Sequence, residues 1–324
     1  MFDVTALGEL LIDFTPHGKS SSGMNLFEQN PGGAPCNVLA ALNKCGLKTS
    51  FIGKVGNDMH GSFLKSTLET AGINTDGLIV DDSVFTTLAF VSLNDAGERN
   101  FSFARKPGAD TCLKESEVNV DILKQTKIFH IGSLSLTDEP SKSATLFAIK
   151  KAKESGCIIS YDPNYRAALW SSKDVAISEM RRILPYVDVM KMSDEETTLL
   201  TGILEPRDAA AYLVENGIPL VAITLGAAGA YICTKEHHEI AGSIVPGFKS
   251  QVVDTTGAGD SFWGGFLYKL IQSRKSPSDI SLTEAIDFAR FANALASLCV
   301  EKRGGIPAMP TLEAVEARLQ TMSY

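Results

Sequence analysis

Apolar residues in this chain recur with two periods in turn, and the alternation outlines an architecture. Strand-like runs fall near residues 127–132, 157–162, 187–191, 219–224 and 229–234. Stretches with helical spacing near 139–155, 173–184 and 206–216 lie among them. That order predicts an α/β fold with a central, mostly parallel sheet and helices on both faces. Upstream, Phe2 to Leu7 alternates and passes through Gly8-Glu9 into a second strand ending near Phe14. Residues 18–30 are polar and read as loop. Behind Pro35, the residues Val38, Leu39, Ala41 and Leu42 predict a helix entered through a Gly32-Gly33 turn. Phe51 to Asp58 reads as strand and turn, and a helix follows from Gly61 to about Thr70. Thr87–Leu93 and Arg99–Arg105 form a predicted hairpin around a turn at 94–98, with Phe101, Phe103 and Arg105 on one face. Phe262, Phe266 and Leu270 mark another helix. The segment from Glu284 to Leu298 is nearly all apolar and Ala-rich, which predicts a helix buried on most sides.

Composition agrees with a globular chain. The 324 residues are 44% hydrophobic and 21% charged, enough for a full core. A net charge of −8 without a dense Lys/Arg run argues against nucleic acid or an anionic membrane as partner. The N-terminus carries Asp3, Glu9 and Asp13 and no basic leader, so no signal peptide is expected there. The apolar stretch from Ile218 to Cys233 is too short and Gly-rich to span a bilayer. Six cysteines without C-x-x-C pairing suit a reducing cytoplasm, which is the expected location.

The candidate chemistry centres on Val253-Asp254-Thr255-Thr256-Gly257-Ala258-Gly259-Asp260-Ser261-Phe262, read as a turn of small residues opening a helix. Amides at residues 257–259 would lie uncovered at a helix N-terminus, which favours an anion. Asp260 beside them suits a base for phosphoryl transfer, although an Asp at a helix start is also an ordinary N-cap. The helix dipole should hold its pKa low. Asp13 interrupts apolar neighbours, and Asn37 can offer both a donor and an acceptor to a hydroxyl. Asp162-Pro163-Asn164-Tyr165-Arg166 ends a strand, where open α/β sheets bind ligands. Ser193 and Glu196 have capping-box spacing, a sufficient structural reason for both. Thr224, Gly226 and Gly229 close another strand, and Asn293 stands out within the apolar helix. Neither G-x-x-x-x-G-K-[ST] nor G-x-G-x-x-G is present, which removes the main support for P-loop and nicotinamide-dehydrogenase readings.

Asp254-Thr-Thr-Gly-Ala-Gly-Asp-Ser-Phe262 resembles the second signature of the ribokinase-like (PfkB) carbohydrate kinases. Gly53, Val55, Gly56 and Asp58 resemble the first signature, and Gly32-Gly33 with Asn37 resembles the sugar-binding element. The Gly-Gly-Ala-Pro variant and the segment Arg105-Lys-Pro-Gly-Ala-Asp110 are most similar to bacterial fructokinases. The resemblance runs from Asp13 to about Pro310. It implies a single kinase domain over 1–324, with a small β-sheet lid inserted at about 14–30 and 84–110. It implies Asp260 as catalytic base, Gly257, Ala258 and Gly259 as anion hole, and Arg166 near the transferred phosphoryl. Asp13, Gly33, Asn37, Phe103, Arg105 and Asn164 would bind sugar, with Phe103 over the ring and Arg105 on the lid. Lys191, Ser193, Thr224, Gly226, Gly229 and Asn293 would bind ATP, and Glu196 would act on Mg²⁺ through water. Ser193 replaces the Asn of many members. A K⁺ site would draw on Asp254 and Thr256 with carbonyls of Cys299, Lys302 and Gly304, although Ala308 replaces a Ser found in some members. The implied partners are sugar and Mg-ATP, with a homodimer formed through the lid. The rivals are a 2-keto-3-deoxygluconate kinase, another PfkB sugar kinase and an inactive sugar- or nucleotide-binding regulator. The first shares the segment from Asp162 to Trp170, but its lid is expected to read Arg-x-Gly-Ser-Ala.

Overall fold

The computed structural model describes residues 1–93, 99–236 and 239–321. The turn read at 94–98 and the side chain of Phe101 lie outside the described residues. The described strands are β1 (Phe2–Leu7), β2 (Leu11–Lys19), β3 (Asn25–Gly32), β4 (Thr49–Gly56), β5 (Asn74–Asp81), β6 (Leu88–Leu93) and β7 (Arg99–Ala104). They continue as β8 (Thr126–Ile131), β9 (Ile158–Tyr161), β10 (Val189–Ser193), β11 (Leu220–Thr224), β12 (Gly229–Glu236) and β13 (Glu239–Pro246). The helices are α1 (Ala34–Lys44), α2 (Met59–Thr70), α3 (Val120–Leu123), α4 (Ser141–Glu154) and α5 (Lys173–Ile183). After them come α6 (Thr197–Thr201), α7 (Pro206–Glu215), α8 (Ala258–Ser273), α9 (Leu282–Cys299) and α10 (Leu312–Gln320).

Nine strands form one sheet in the order β13-β12-β11-β10-β9-β8-β1-β4-β5, parallel except where β12 pairs with β11 and β13. Successive side chains along a strand point to opposite faces. Leu220 and Ala222 accordingly join the core under α1, α8 and α9, whereas Val221 and Ile223 join the core under α4, α5 and α7. Every residue of β4 is buried, as a strand covered on both faces requires. The helices on both faces and the mostly parallel sheet are the α/β architecture that the alternation of elements predicts.

The second sheet has the order β3-β2-β6-β7. Its inner face turns Leu11, Asp13, Thr15, Val91 and Phe103 toward a cleft at the large sheet. On its outer face Phe14 stacks on Phe90 at 5.1 Å between ring centroids, with Phe27 edge-on to Phe90 at 6.2 Å. Here the structure corrects the reading of 18–30 as loop, because β3 occupies Asn25–Gly32 and pairs with β2. β3 lies at the sheet edge with Asn25, Leu26 and Phe27 exposed, so no buried face imposes an apolar alternation. The edge strands β5 and β13 left no sequence signal for the same reason.

Arg105 also departs from its expected place. β7 ends at Ala104, and the Arg105 side chain turns inward rather than toward the cleft. Its Nε donates to Asp110 at 2.8 Å, Nη1 to the Thr137 hydroxyl at 2.9 Å and Nη2 to the Leu134 carbonyl at 2.9 Å. Asp110 also accepts from the Thr87 hydroxyl. A planar guanidinium with most of its donors engaged is a fastening, and it ties the small sheet's last strand to the segment before α4. Replacing Arg105 by Met should cost about 3–5 kcal/mol, since Asp110 is left as an uncompensated buried charge. Denaturant titration measures this, and a loss below about 1 kcal/mol contradicts the fastening role.

Candidate active site

The cleft lies between the small sheet and the carboxyl ends of the large sheet's strands, where open α/β sheets bind ligands. It holds about 460 Å³. It is lined by Glu9, Asp13, Gly33 and Asn37 with Phe103 from β7. Asn164, Arg166 and Lys191 also line it, with the turn from Asp254 to Asp260. Gly33 has φ +122°, and a Cβ there would sit 2.4 Å from the Glu9 carbonyl oxygen. Only glycine meets both constraints.

α8 begins directly after Gly257, which has φ +74°, and no side chain caps this end. The N-cap alternative for Asp260 is thereby set aside. Asp260 is the third residue of α8, and its Oδ2 accepts a hydrogen bond from Asn37 Nδ2 at 2.8 Å. The low pKa expected from the helix dipole is corrected too. Burial, reinforced by the negative charge of Asp162, pushes the Asp260 carboxyl up to about 6. Lys191, the Asn37 hydrogen bond and Arg166 draw it down, but less strongly. At neutral pH the group is still mostly a carboxylate, now poised close enough to neutrality to accept a proton.

Lys191 Nζ pairs with Asp162 at 2.8 Å, both side chains being buried. Glu196 Oε2 accepts from the Ser193 amide at 2.8 Å and hydroxyl at 3.0 Å, so the capping box is present. Glu196 Oε1 accepts from the Tyr165 amide at 2.7 Å, tying the loop that carries Asn164 and Arg166 to the end of β10. Both oxygens are engaged, so Glu196 fits a metal met through water rather than bound directly. That suits Mg²⁺, which keeps several waters and relies on substrate phosphates. Among the described residues no cluster of three His, Cys, Asp or Glu forms a metal cage.

Thr224 pairs in register with Ser193 on the neighbouring strand, and Gly226 and Gly229 form the turn into β12. These three continue the rim of the sheet beyond the cleft. Asn293 stands apart, because its amide donates to the carbonyls of Val245 at 3.0 Å and Pro246 at 3.1 Å and pins the end of β13. Asp254 binds the Thr256 amide at 3.0 Å and hydroxyl at 2.8 Å with one oxygen, and the Gly304 amide at 3.0 Å with the other. Cys299 Sγ lies 3.9 Å from the Thr256 carbonyl, and the Cys299 carbonyl accepts from the Lys302 amide at 3.1 Å. The five residues suggested for a monovalent cation are thus drawn into one neighbourhood.

A match to the pfkB family carbohydrate kinase model extends over residues 1–312. The chain belongs to the PfkB carbohydrate kinases. Probable fructokinase-5 of Arabidopsis thaliana is 43% identical over 95% of this chain and 94% of its own length. Fructokinase-2 of Oryza sativa is 41% identical over 95% and 91%. The ATP-bound fructokinase of Xylella fastidiosa superposes with a TM-score of 0.90 at 33% identity, covering 99% of both chains. A Vibrio cholerae fructokinase double mutant with fructose, ADP and potassium ion bound gives 0.86 at 32% identity, covering 98% of both chains. Membership of a kinase family disposes of the dehydrogenase alternative.

Sequence reasoning gave no role to Glu9. It is fully buried, accepts from the Ala34 amide at 2.9 Å and so caps α1, whose N-cap Gly33 has no side chain to do it. Burial raises its carboxyl to about 7. No local pattern announces a cap delivered from the segment between β1 and β2.

If Asp260 is the base, Asp260→Asn should lower kcat by roughly 10²–10⁴ while leaving ATP binding in place. The deprotonated form is the active one, so kcat/KM of the parent should fall as pH drops through about 6. A variant within a few-fold of the parent, or a profile flat down to pH 5, contradicts the assignment.

Proposed function

We propose that this chain transfers the γ-phosphoryl of ATP to a hydroxyl of a neutral ketohexose, D-fructose giving fructose 6-phosphate. One observation carries the choice of sugar: the cleft's charges are sorted. Asp13 stands on the small-sheet side, whereas the cations Arg166 and Lys191 stand beside Asp260 and its turn. Arg105, which could have met a keto-acid carboxylate, is fastened to Asp110 outside the cleft. An acidic sugar would bring its carboxylate against like charge, and a polyol would find acceptors for its hydroxyls. The names of the relatives support the same choice.

In this reading Asp13, Gly33, Asn37 and Asn164 hold the sugar and Phe103 covers its apolar face. Asp260 receives the hydroxyl proton late, as a loose transition state permits. Amides at 257–259 and Arg166 counter the charge on the phosphoryl oxygens. Ser193, Thr224, Gly226 and Gly229 lie along the nucleotide's path, and Asn293 shapes that wall by anchoring β13. Mg²⁺, met by Glu196 through water, would neutralise phosphate charge. The small sheet acts as the lid that excludes water.

The test is turnover with Mg-ATP over a sugar panel that includes fructose and 2-keto-3-deoxygluconate, followed by ADP release. Fructose should give the highest kcat/KM, and Asp13→Ala should cost about 1–3 kcal/mol of it. Preference for the keto acid refutes the reading, and absence of turnover with every sugar favours a binding protein.

A monovalent cation at Asp254 and Thr256, with carbonyls of Cys299, Lys302 and Gly304, should raise the rate. The potassium in the Vibrio structure supports this reading. Equal rates in potassium and in tetramethylammonium at matched ionic strength would sink it.

A further inference from the structure

Polar side chains interrupt the apolar face that the central strands turn toward α8. His130 on β8, Ser160 on β9 and Lys191 on β10 point to that side, in alternation with Ile128, Ile158 and Val189 of the same core. Lys191 belongs to the cleft, but His130 and Ser160 lie beneath it, fully buried. Burial, with the charge of Lys191 added to it, pushes the His130 imidazole down to about 3, so it stays neutral at every working pH. Ser160 Oγ is hydrogen-bonded to His130 Nδ1 at 3.0 Å across the paired strands. It also accepts from Trp263 Nε1 of α8 at 2.9 Å. A tryptophan N–H can only donate, and leaving it unpaired at this depth would be costly, so this hydroxyl is what lets α8 carry an indole here.

The spacing gives that bond a consequence for the site. Trp263 follows Asp260 by three residues, so both lie on one face of α8, about 4.5 Å apart along its axis. Asp162 follows Ser160 by two residues, on the same side of its strand and about 6.6 Å further along. α8 and the β9 segment therefore meet at two levels. Below, Trp263 and Ser160 are joined by a hydrogen bond; above, the charge of Asp162 acts on Asp260 through space. Packing elsewhere on α8 is close but apolar. A Cβ on Gly264 would sit 2.6 Å from the Ala41 side chain, and one on Gly265 would sit 2.9 Å from Ala292 Cα. Apolar contact is non-directional and presses the helix down, whereas slide and roll are fixed by bonds with a direction.

We propose that Trp263 and Ser160 are positioning residues for phosphoryl transfer, their bond setting the slide and roll of α8 that hold Asp260 and the 257–259 amides over the end of β9. The inference rests on the kinase reading above and concerns residues outside the cleft. A reacting group displaced by about 1 Å forfeits roughly 100-fold in rate, so a helix-to-sheet bond beneath the site matters to the chemistry above it. Loosening the bond also changes what Asp260 feels. The charged groups around that carboxyl are Asp162 beyond β9, Lys191 on β10 and Arg166 in the loop after Asp162. Neutral Asn37 of α1 donates to it, and the Cys299 thiol of α9, pushed up to about 11 by burial, stays neutral. A helix drawn away from β9 admits water and weakens the repulsion from Asp162, and both effects lower the affinity of Asp260 for its proton.

Ser160→Ala and Trp263→Phe break the bond from its two ends. Each should lose roughly 10–100-fold in kcat, with the KM for fructose within about threefold of the parent. The acid limb of kcat/KM, which falls as Asp260 gains its proton, should move down by about half a pH unit or more. Ser160→Thr keeps the hydroxyl and should recover most of the kcat together with the parental limb. If Ser160→Ala fails to fold, Trp263→Phe carries the test, because it removes the donor while Ser160 keeps His130 as partner. A merely structural bond would lower the melting temperature and leave kcat and the acid limb of the folded enzyme unchanged. A folded variant with kcat within about threefold of the parent, or with an unmoved limb, therefore overturns the proposal. A parent that phosphorylates no sugar overturns instead the kinase reading on which the proposal rests.

Discussion

The hydrogen bond from Asn37 to Asp260 joins the two helix N-termini between which the site is built. α1 brings Asn37 from the sugar side and α8 brings Asp260 from the phosphate side. Neither side chain is placed by its own helix alone. Glu9 fixes the start of α1 from the segment between β1 and β2, and the Gly257 turn fixes the start of α8. The governing constraint is electrostatic, since a buried carboxylate must stay ionised at neutral pH and still accept a proton. Burial and Asp162 push it toward neutrality, and Lys191, Asn37 and Arg166 hold it back. The buried pair of Lys191 and Asp162 therefore influences Asp260 in both directions.

The same balance explains how one cleft serves two reactants. Asp13 and Asn37 stand where hydroxyls would be recognised, and Arg166 and Lys191 stand beside the turn that would hold phosphate. The small sheet supplies the sugar-side wall from one face and keeps an aromatic cluster of Phe14, Phe27 and Phe90 on the other. Period-two alternation in β2 and β6 is enough to separate those two faces.

Much of this was legible in the chain because it depends on local periodicity. The buried strands β8 to β12 and the helices between them announce themselves through apolar spacing, and so does the turn into α8. Edge strands β3, β5 and β13 are silent because half-exposed backbone imposes no pattern. Family resemblance named most of the cleft's residues and implied a role for each, but not the contacts that hold them. Arg105 looked like a substrate ligand through the resemblance of its segment to the fructokinase lid, whereas its guanidinium pairs with Asp110 outside the cleft. The hold that the Asn293 amide has on the end of β13 left no mark in the sequence either. The raised pKa of Asp260 could not be read locally, since the burial and the charge of Asp162 come from elements about a hundred residues away in sequence. Contacts that close long loops leave no mark on nearby spacing. The cap that Glu9 gives α1 belongs to the same class.

A crystal structure of the protein with fructose and a non-hydrolysable ATP analogue tests the central claim most directly. The account predicts one fructose hydroxyl within about 2.6–3.2 Å of the Asp260 carboxylate, the range for a base in reach of its proton. It also predicts the other hydroxyls against Asp13 and Asn37, and the γ-phosphate against the 257–259 amides. A sugar seated with every hydroxyl away from Asp260, or a γ-phosphate remote from that turn, would contradict it.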